Sequence, residues 1–309
     1  MYGAGGQKRV PDSFVKDFKL AFPPIPEQTA IATFLDRETA KIDELVAEQE
    51  KLIELLKEKR QAVISHAVTK GLNPDVPMKN SGIEWLGEVP EHWEVVRLKH
   101  VVPRIEQGWS PEAIDQLAEP DEWGVLKAGC VNNGVFRDTE HKTLPSEIIP
   151  PSGIEVAKGD ILMSRANGSL DLIGSVAYVE SCSYKLIMSD KIFRLVADER
   201  NCFKPFLVRI MGTAAIRSQI RLAVSGAEGL ANNIGKGAIR EFCISLPPVE
   251  EQKTISSYLD SETQRFDQLT IEAQRAIDLL KERRSALISA AVTGKIDVRH
   301  IATKTKEAA

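Results

Sequence analysis

The chain has 309 residues and 43% hydrophobic content, which is enough to bury more than one core. Its 40 basic and 44 acidic side chains leave a net charge of −4, so any nucleic-acid-binding surface is local and does not extend over the molecule. Four scattered cysteines form no CxxC pair, and there is no apolar run of about 18 residues. The sequence therefore predicts no zinc site, no membrane-spanning helix and no secretory leader, and we expect a cytoplasmic protein.

The first predicted element is a long helix that follows the double proline Pro23-Pro24. A residue before proline avoids helical backbone, so the helix begins just beyond this pair. From Glu27 to Lys70 there is neither glycine nor proline, and residues of high helix propensity dominate. We assign residues 23–72 to this first spacer helix and residues 73–80 to a polar linker.

The region after the linker, residues 81–245, has a different pattern. Short apolar runs of β character alternate with turn signals: WGVLKAGCV is followed by NNG, and GDILMSRA by NGS. One further helical stretch, Phe203–Val224, ends at Ser225-Gly226. These patterns predict an α+β globular domain between two helical segments.

The segment that begins at Leu246 repeats the first helix at an offset of 224 residues. LPPVEEQKTISSYLDSETQRFD corresponds to FPPIPEQTAIATFLDRETAKID, and the offset holds without a gap to Thr69 and Thr293. Such similarity indicates a duplication. We therefore predict a second spacer helix over residues 246–296, followed by a polar tail at 297–309. The offset also extends backwards, so residues 1–22 correspond to the last part of a unit whose second copy ends near residue 245.

Both helices carry apolar residues at a spacing near 3.5, which predicts a coiled coil in which they pair with each other. The alternative is two unrelated surface helices of a bundle. The predicted seam comprises Ile31, Leu35, Ile42, Leu45, Leu52, Leu56, Val63, Ile255, Leu259, Phe266, Leu269, Leu280 and Leu287.

No catalytic or metal-binding residues are predicted. Adenine-amino methylation uses an Asn/Asp-Pro-Pro-aromatic loop around a flipped base. Here the two Pro-Pro pairs lie between apolar residues, Phe22 and Ile25 in one copy and Leu246 and Val249 in the other. The five histidines form no pair at metal-ligand spacing, and no glycine-rich stretch meets the requirements of a phosphate-binding loop.

The chain resembles the specificity subunit of type I restriction-modification enzymes. The resemblance covers nearly the whole chain and rests on the repeated double-proline helix start and on several further segments. These are WLGEVPEHWEVVRLK (from Trp85), IEQGWSP (from Ile105), VLKAGCVNNGVF (from Val125), GDILMSRA (from Gly159) and the SGAEGLANNIGKGAIREFCISLPPVEEQ run (from Ser225).

This resemblance implies a non-catalytic subunit with two target-recognition domains, held apart by two helices that pair antiparallel. Each domain reads one half of a bipartite site in double-stranded DNA. The subunit docks modification subunits, which methylate adenine with S-adenosylmethionine, and restriction subunits, which use ATP and Mg²⁺; it binds no cofactor itself. One departure matters: of the first recognition domain only residues 1–22 are present. The chain is a truncated or split gene product, one that self-associates or pairs with a second specificity chain, or one cassette of a rearranging locus, and the sequence does not choose among these.

Sequence readout requires amide, hydroxyl or cationic side chains on turns that reach base edges. The candidate DNA-binding residues are Gln107, Ser110, Lys127, Asn132, Asn133, Ser164, Arg165, Asn167, Asn232, Asn233 and Lys236. The matching runs KEKR (Lys57–Arg60) and KERR (Lys281–Arg284) are either solvated helix faces or docking surfaces for partner subunits. The alternative function is an interaction scaffold that competes for the same subunits without reading DNA.

Overall fold

Two long helices and a region of short strands form the computed structural model, which describes residues 10, 12–17, 22–224 and 232–299. Most of the predicted remnant at residues 1–22 and most of the tail lie outside the described residues. The α+β class and the two long helices are as predicted. The helices are α1 (Asp12–Lys16), α2 (Ile25–Lys70), α3 (Lys204–Met211), α4 (Ala214–Ala223), α5 (Lys236–Arg240) and α6 (Val249–Val292). The strands are β1 (Met78–Asn80), β2 (Glu88–Pro90), β3 (Glu94–Arg97), β4 (Arg104–Gln107), β5 (Trp123–Leu126), β6 (His141–Thr143), β7 (Ile161–Ser164), β8 (Ala166–Asn167), β9 (Val176–Tyr178), β10 (Lys185–Ile187), β11 (Ile192–Val196), β12 (Asn232–Asn233) and β13 (Cys243–Leu246).

The chain divides into two units, which are described separately: residues 1–57 with 266–309 form the first, and residues 58–265 the second. In the first unit, α2 and α6 pack against each other through a buried cluster of Ile53, Ala273 and Ile277, with Val46 at its edge. Arg284 forms an ion pair with Asp43 at 2.8 Å. Asp43 on α2 pairs with Arg284 on α6, whereas Ile53, further along α2, packs with Ala273 and Ile277, which come earlier on α6. The two helices are therefore antiparallel, as the resemblance implied.

The less exposed positions of the two helices follow a heptad pattern in which steps of four and three residues alternate. Between residues 42 and 57 of α2 these positions are Ile42, Val46, Gln49, Ile53 and Leu56. In α6 they are Phe266, Thr270, Ala273, Ile277, Leu280, Arg284, Leu287 and Ala291. Each α2 position lies 224 residues before one of the α6 positions, so both copies of the repeat use the same face.

The predicted seam was wrong at three leucines. Leu45, Leu52 and Leu269 are 44%, 41% and 38% exposed, whereas Val46 and Ile53, their immediate neighbours, lie on the inner face. The helices carry two adjacent apolar stripes, and spacing alone does not say which one faces the partner helix. Of the remaining seam residues, Ile42, Leu56 and Phe266 are buried, and Ile31, Leu35, Val63, Leu280 and Leu287 are half-buried.

Ile255 and Leu259 require a different correction. Both are fully buried, but they belong to the main core of the second unit, together with Val68 at the end of α2 and Phe206 in α3. The first turns of α6 therefore form part of the core of the globular domain. The heptad pattern extends into the first turns of α6 because the same apolar face of the helix packs against the domain core there and against α2 further along.

The described residues of the second unit include five small sheets. The largest has four strands in the order β4-β11-β7-β9, with every pair antiparallel. A three-stranded sheet has the order β10-β5-β6, in which β10 and β5 are parallel. The pairs β13-β3, β12-β8 and β1-β2 complete the set. Strand β1 falls inside the predicted linker, where its register with β2 ties the linker to the domain.

The predicted helical stretch Phe203–Val224 is two helices and not one. Helix α3 ends at Met211 and α4 begins at Ala214, because Gly212 and Thr213 interrupt the pattern. The hydroxyl of Thr213 donates a hydrogen bond to the carbonyl of Ile210 at 2.7 Å. Both helices press an apolar face into the core, through Phe206 and Ile210 on α3 and Ile216 and Ile220 on α4.

Candidate nucleic-acid interface

Two turns of the second unit are locked together by a close backbone approach. The turn after β4 packs against the turn before β11, and a Cβ atom on Gly108 would lie 2.0 Å from the carbonyl oxygen of Met188. The backbone N–H of Trp109 donates to that same carbonyl at 3.0 Å. Only glycine fits such an approach. The two turns therefore hold the flanking side chains in fixed positions.

Three predicted DNA-binding residues meet at Asp190, in the turn before β11. Its main-chain carbonyl accepts hydrogen bonds from Gln107 Nε2 at 3.1 Å and from an Arg165 guanidinium nitrogen at 3.4 Å. The hydroxyl of Ser110 donates to the Asp190 carboxylate and accepts from the Asp190 N–H at 3.1 Å. Sequence reasoning missed Asp190, because an aspartate in a turn is an ordinary turn residue and no local signal marks it.

The end of β7 brings further candidates to the same place. The N–H of Arg165 donates to Lys191 O at 2.8 Å, and its carbonyl accepts from the N–H of Ile234 at 3.0 Å. Strand β8 then pairs with β12, so that Asn167 lies opposite Asn232 in the ladder. Strands β8 and β12 thus lie side by side, although Asn167 and Asn232 are 65 residues apart in sequence (232 − 167 = 65).

Two cations lie over the same aromatic ring. The Arg165 guanidinium carbon is 5.9 Å from the ring centroid of Phe193, and Lys236 Nζ is 5.5 Å from it. Phe193 is 1% exposed and pairs with Gln107 between β11 and β4. A buried ring at this distance attracts cations through its quadrupole. It therefore helps to keep two positive charges close together.

The turn around Asn132 completes the arrangement. Asn167 Nδ2 donates to Asn132 Oδ1 at 3.4 Å, and Asn133 adopts a left-handed conformation with φ of 60°. Asparagine tolerates this conformation better than most residues. Arg137 also holds this turn, because it donates to the carbonyl of Asn132 at 2.9 Å.

We call the convergent set the amide–cation cluster. It comprises Gln107, Ser110, Asn132, Arg165, Asn167 and Lys236, all of them half-buried or exposed.

The other predicted DNA-binding residues are placed differently. Ser164 is fully buried, and its hydroxyl donates to the carbonyl of Ala166 at 3.4 Å. Its side chain is therefore not accessible to DNA. Lys127 pairs with Asp115 at 2.8 Å and holds the pKa of that carboxyl below its usual value. Asn133 is exposed beside Asn132, and Asn233 pairs through its backbone with Ala166. The side chain of Asn232 lies outside the described residues.

The motif that begins α6 attaches this helix to the globular domain. Gln252 is fully buried: its Oε1 accepts from the N–H of Phe203 at 2.7 Å, and its Nε2 donates to Asn201 O at 3.0 Å and Pro247 O at 2.8 Å. Beside it, the indole N–H of Trp93 donates to Glu251 at 3.1 Å. These bonds attach the first turns of α6 to the core of the second unit.

Among the described residues, no group of three or more His, Cys, Asp and Glu side chains is arranged to hold a metal ion. No helix in the described part of the chain is long and apolar enough to cross a membrane. Burial raises the pKa of the Cys130 and Cys202 thiols to about 12, so both remain protonated at neutral pH. Thiols in that state are poor nucleophiles.

The first unit is a pair of long antiparallel helices, and the second gathers amide and cationic side chains on its turns, a combination typical of a nucleic-acid recognition subunit. Residues 90–279 match the family model of the type I restriction modification DNA specificity domain. The chain belongs to this family, whose members supply DNA sequence specificity and not catalysis.

Named relatives agree with this assignment. The chain is 27% identical to the EcoEI specificity subunit of Escherichia coli, over 94% of this chain and 61% of that protein. It is 25% identical to the MjaVIII specificity subunit of Methanocaldococcus jannaschii, over 96% of this chain and 66% of that protein. The chain thus spans about three fifths to two thirds of the length of these relatives.

Solved structures show the same fold. The HsdS subunit from Thermoanaerobacter tengcongensis matches with a TM-score of 0.53 and 18% identity, over 96% of this chain and 65% of that one. A chain from a structural study of assembly and conformational transition in the type I R-M system matches with a TM-score of 0.63 and 18% identity, over 88% of this chain and 60% of that one.

Proposed function

We propose that this chain is a non-catalytic specificity subunit that reads one half of a bipartite DNA site. The observation that carries the proposal is the convergence of the amide–cation cluster on one surface of the unit that contains most of the family match. Amide and guanidinium groups pair with base edges in the major groove, and ammonium groups neutralise phosphates. Binding to specific DNA should weaken steeply as salt rises, because phosphate contacts release counterions.

The paired helices are the proposed spacer and docking frame. Leu45 and Leu269 occupy equivalent repeat positions and are 44% and 38% exposed, and Leu55 and Leu279 are 51% and 60% exposed. Exposed apolar residues at matching positions, near the matching KEKR and KERR runs, suit two copies of one partner. We assign this surface to two modification subunits, which bring S-adenosylmethionine. Restriction subunits, with ATP and Mg²⁺, join through them.

The first copy of the repeat supports a place for a second recognition domain. Gln28 repeats the local bond of Gln252, since its Nε2 donates to Pro23 O at 2.8 Å. Gln28 is half-buried, however, whereas Gln252 is fully buried against its own domain. A second specificity chain is the proposed source of the domain that covers Gln28. Because all of these partners act on DNA inside the cell, we assign the complex to the cytoplasm.

The adenine-methylation map of cells that express this chain with its modification subunit tests the proposal. An interrupted palindrome is expected if two copies of the chain assemble symmetrically, and an asymmetric bipartite motif if another chain supplies the second domain. No methylated motif at all would contradict the proposal and favour the scaffold that does not read DNA. A titration with specific and random duplexes at two salt concentrations separates these functions in vitro, because a scaffold has no preference between the duplexes.

A further inference from the structure

We propose that Asp190 determines specificity by accepting a hydrogen bond from an exocyclic amino group at a base edge, N4 of cytosine or N6 of adenine. The inference rests on the proposed function, because it requires the amide–cation cluster to face DNA. It adds a carboxylate to a set of residues that was otherwise composed of amides, a hydroxyl and cations.

The geometry first removes Ser110 as a hydrogen-bond donor to a base. Its hydroxyl proton is donated to the Asp190 carboxylate, and its oxygen accepts the Asp190 N–H at 3.1 Å. A hydroxyl has one proton to donate, so Ser110 has no donor left for a base. An ionised carboxylate has about four acceptor positions, and Ser110 uses one of them. Ser110 therefore orients the Asp190 carboxylate, which keeps acceptor capacity for a donor outside the protein.

Residue 190 is held by backbone contacts in addition to the bond between its carboxylate and Ser110. Its main-chain carbonyl holds Gln107 and Arg165, and the approach of Gly108 to Met188 fixes the turn on the other side. A side-chain substitution at 190 leaves these backbone contacts in place. The function of the carboxylate can thus be tested separately from the structure of the turn.

The charge of Asp190 indicates a base and not a phosphate. A carboxylate that faces the DNA backbone is repelled by it, whereas a carboxylate that faces a base edge accepts from the N4 amino group of cytosine. Arg165 and Lys236, held over Phe193, place two cations in the same cluster. The cations of the cluster donate hydrogen bonds, and its amides both donate and accept. Asp190 adds a side chain that only accepts hydrogen bonds, which the cluster otherwise lacks.

The test is selection from a pool of random duplexes by the complex of this chain with its modification subunits. The wild-type complex should enrich a motif. Asp190→Asn and Asp190→Ala should each lose about tenfold of the preference at a single base pair and keep the other positions. Asp190→Asn is the informative variant, because its amide oxygen still accepts from Ser110. Ser110→Ala, the control that retains the carboxylate, should cause a smaller loss at the same position.

Base analogues identify the donor. At the affected position, 2-pyrimidinone in place of cytosine, or purine in place of adenine, removes the amino group and should weaken wild-type binding about tenfold. The same analogue should not weaken the Asp190→Ala complex further. An Asp190→Asn motif identical to that of the wild type, or a uniform loss at all positions, would overturn the inference. If the wild-type complex enriches no motif, the proposed function fails, and the inference fails with it.

Discussion

The starts of α2 and α6 share a sequence but differ in their surroundings. In both, the glutamine after the double proline donates to the first proline's carbonyl at 2.8 Å, so the local cap is identical. At the start of α6, Gln252 and Leu259 are fully buried against the globular domain, whereas Gln28 and Leu35 at the start of α2 are half-buried. Local sequence therefore specifies the helix and its cap, and the neighbouring domain specifies the burial.

Truncating the leucine of each copy should give the largest contrast. Leu259→Ala should lower the free energy of unfolding by about 3–4 kcal/mol, because the side chain is fully buried and leaves a cavity. Leu35→Ala, its matched control, should cost about 1–2 kcal/mol, since that side chain is half-buried. Urea unfolding followed by circular dichroism measures both values. Equal losses would mean that the two helix starts are equally covered in solution.

Removing the buried glutamine should give the next largest effect. Gln252→Ala leaves the Phe203 N–H and two carbonyls without their partner, and should cost about 2–3 kcal/mol. Gln28→Ala removes the bond to Pro23 O, which is the one hydrogen bond of its side chain among the described residues, and should cost about 0.5–1 kcal/mol. Hydrogen exchange at the Phe203 amide gives a second measure, which should accelerate only in the Gln252 variant. An unchanged Phe203 amide would contradict the hydrogen-bonding pattern at the start of α6.

The register of the coiled coil can be tested with adjacent residues. Ile53→Ala should cost about 2 kcal/mol, because Ile53 is 9% exposed and packs with Ala273 and Ile277. Leu52→Ala should cost less than about 0.5 kcal/mol of stability, since Leu52 is 41% exposed. Thermal unfolding of the two variants under the same conditions decides between the two apolar stripes. A larger effect at Leu52 would restore the register that spacing alone predicts.

The smallest effect is expected at the ion pair between the helices. Asp43→Asn should cost about 0.2–1 kcal/mol at low salt, because Asp43 and Arg284 are 55% and 41% exposed and water screens them. The difference from the wild type should shrink as salt rises. A double-mutant cycle with Arg284→Gln isolates the pair. A coupling that is independent of salt would show that the pair is less exposed in solution than its accessible surface indicates.

Much of the architecture could be predicted because the sequence repeats. The offset of 224 residues and the absence of glycine and proline defined both helices, which begin at Ile25 and Val249. The register could not be predicted, because Leu45 and Val46, or Leu52 and Ile53, are both apolar and only the partner helix distinguishes them. Ile255 and Leu259 were assigned to the seam because the apolar spacing of a helix is the same whether the helix packs against another helix or against a globular domain.

The candidate site was predictable only in part. Turn residues such as Gln107, Arg165 and Asn167 were found because amides and cations after apolar strands are recognisable in sequence. The convergence of Gln107 and Arg165 on Asp190 depends on contacts across 83 and 25 residues of sequence, which no local pattern encodes. Ser164 was wrongly expected at the surface, because a serine at the end of a strand gives no sign of which face it occupies.

The cluster at Ile53 and Ile277 has a consequence for how the spacer behaves. These two residues are the same position in the two copies of the repeat, and they belong to one buried cluster. Self-contact of equivalent residues is the mark of an isologous interface, the kind that forms in two-fold symmetric dimers. The first unit therefore has the internal symmetry of a homodimer whose two helices belong to one polypeptide. The symmetry is confined to the helices, since the globular domain between them has no second copy among the described residues.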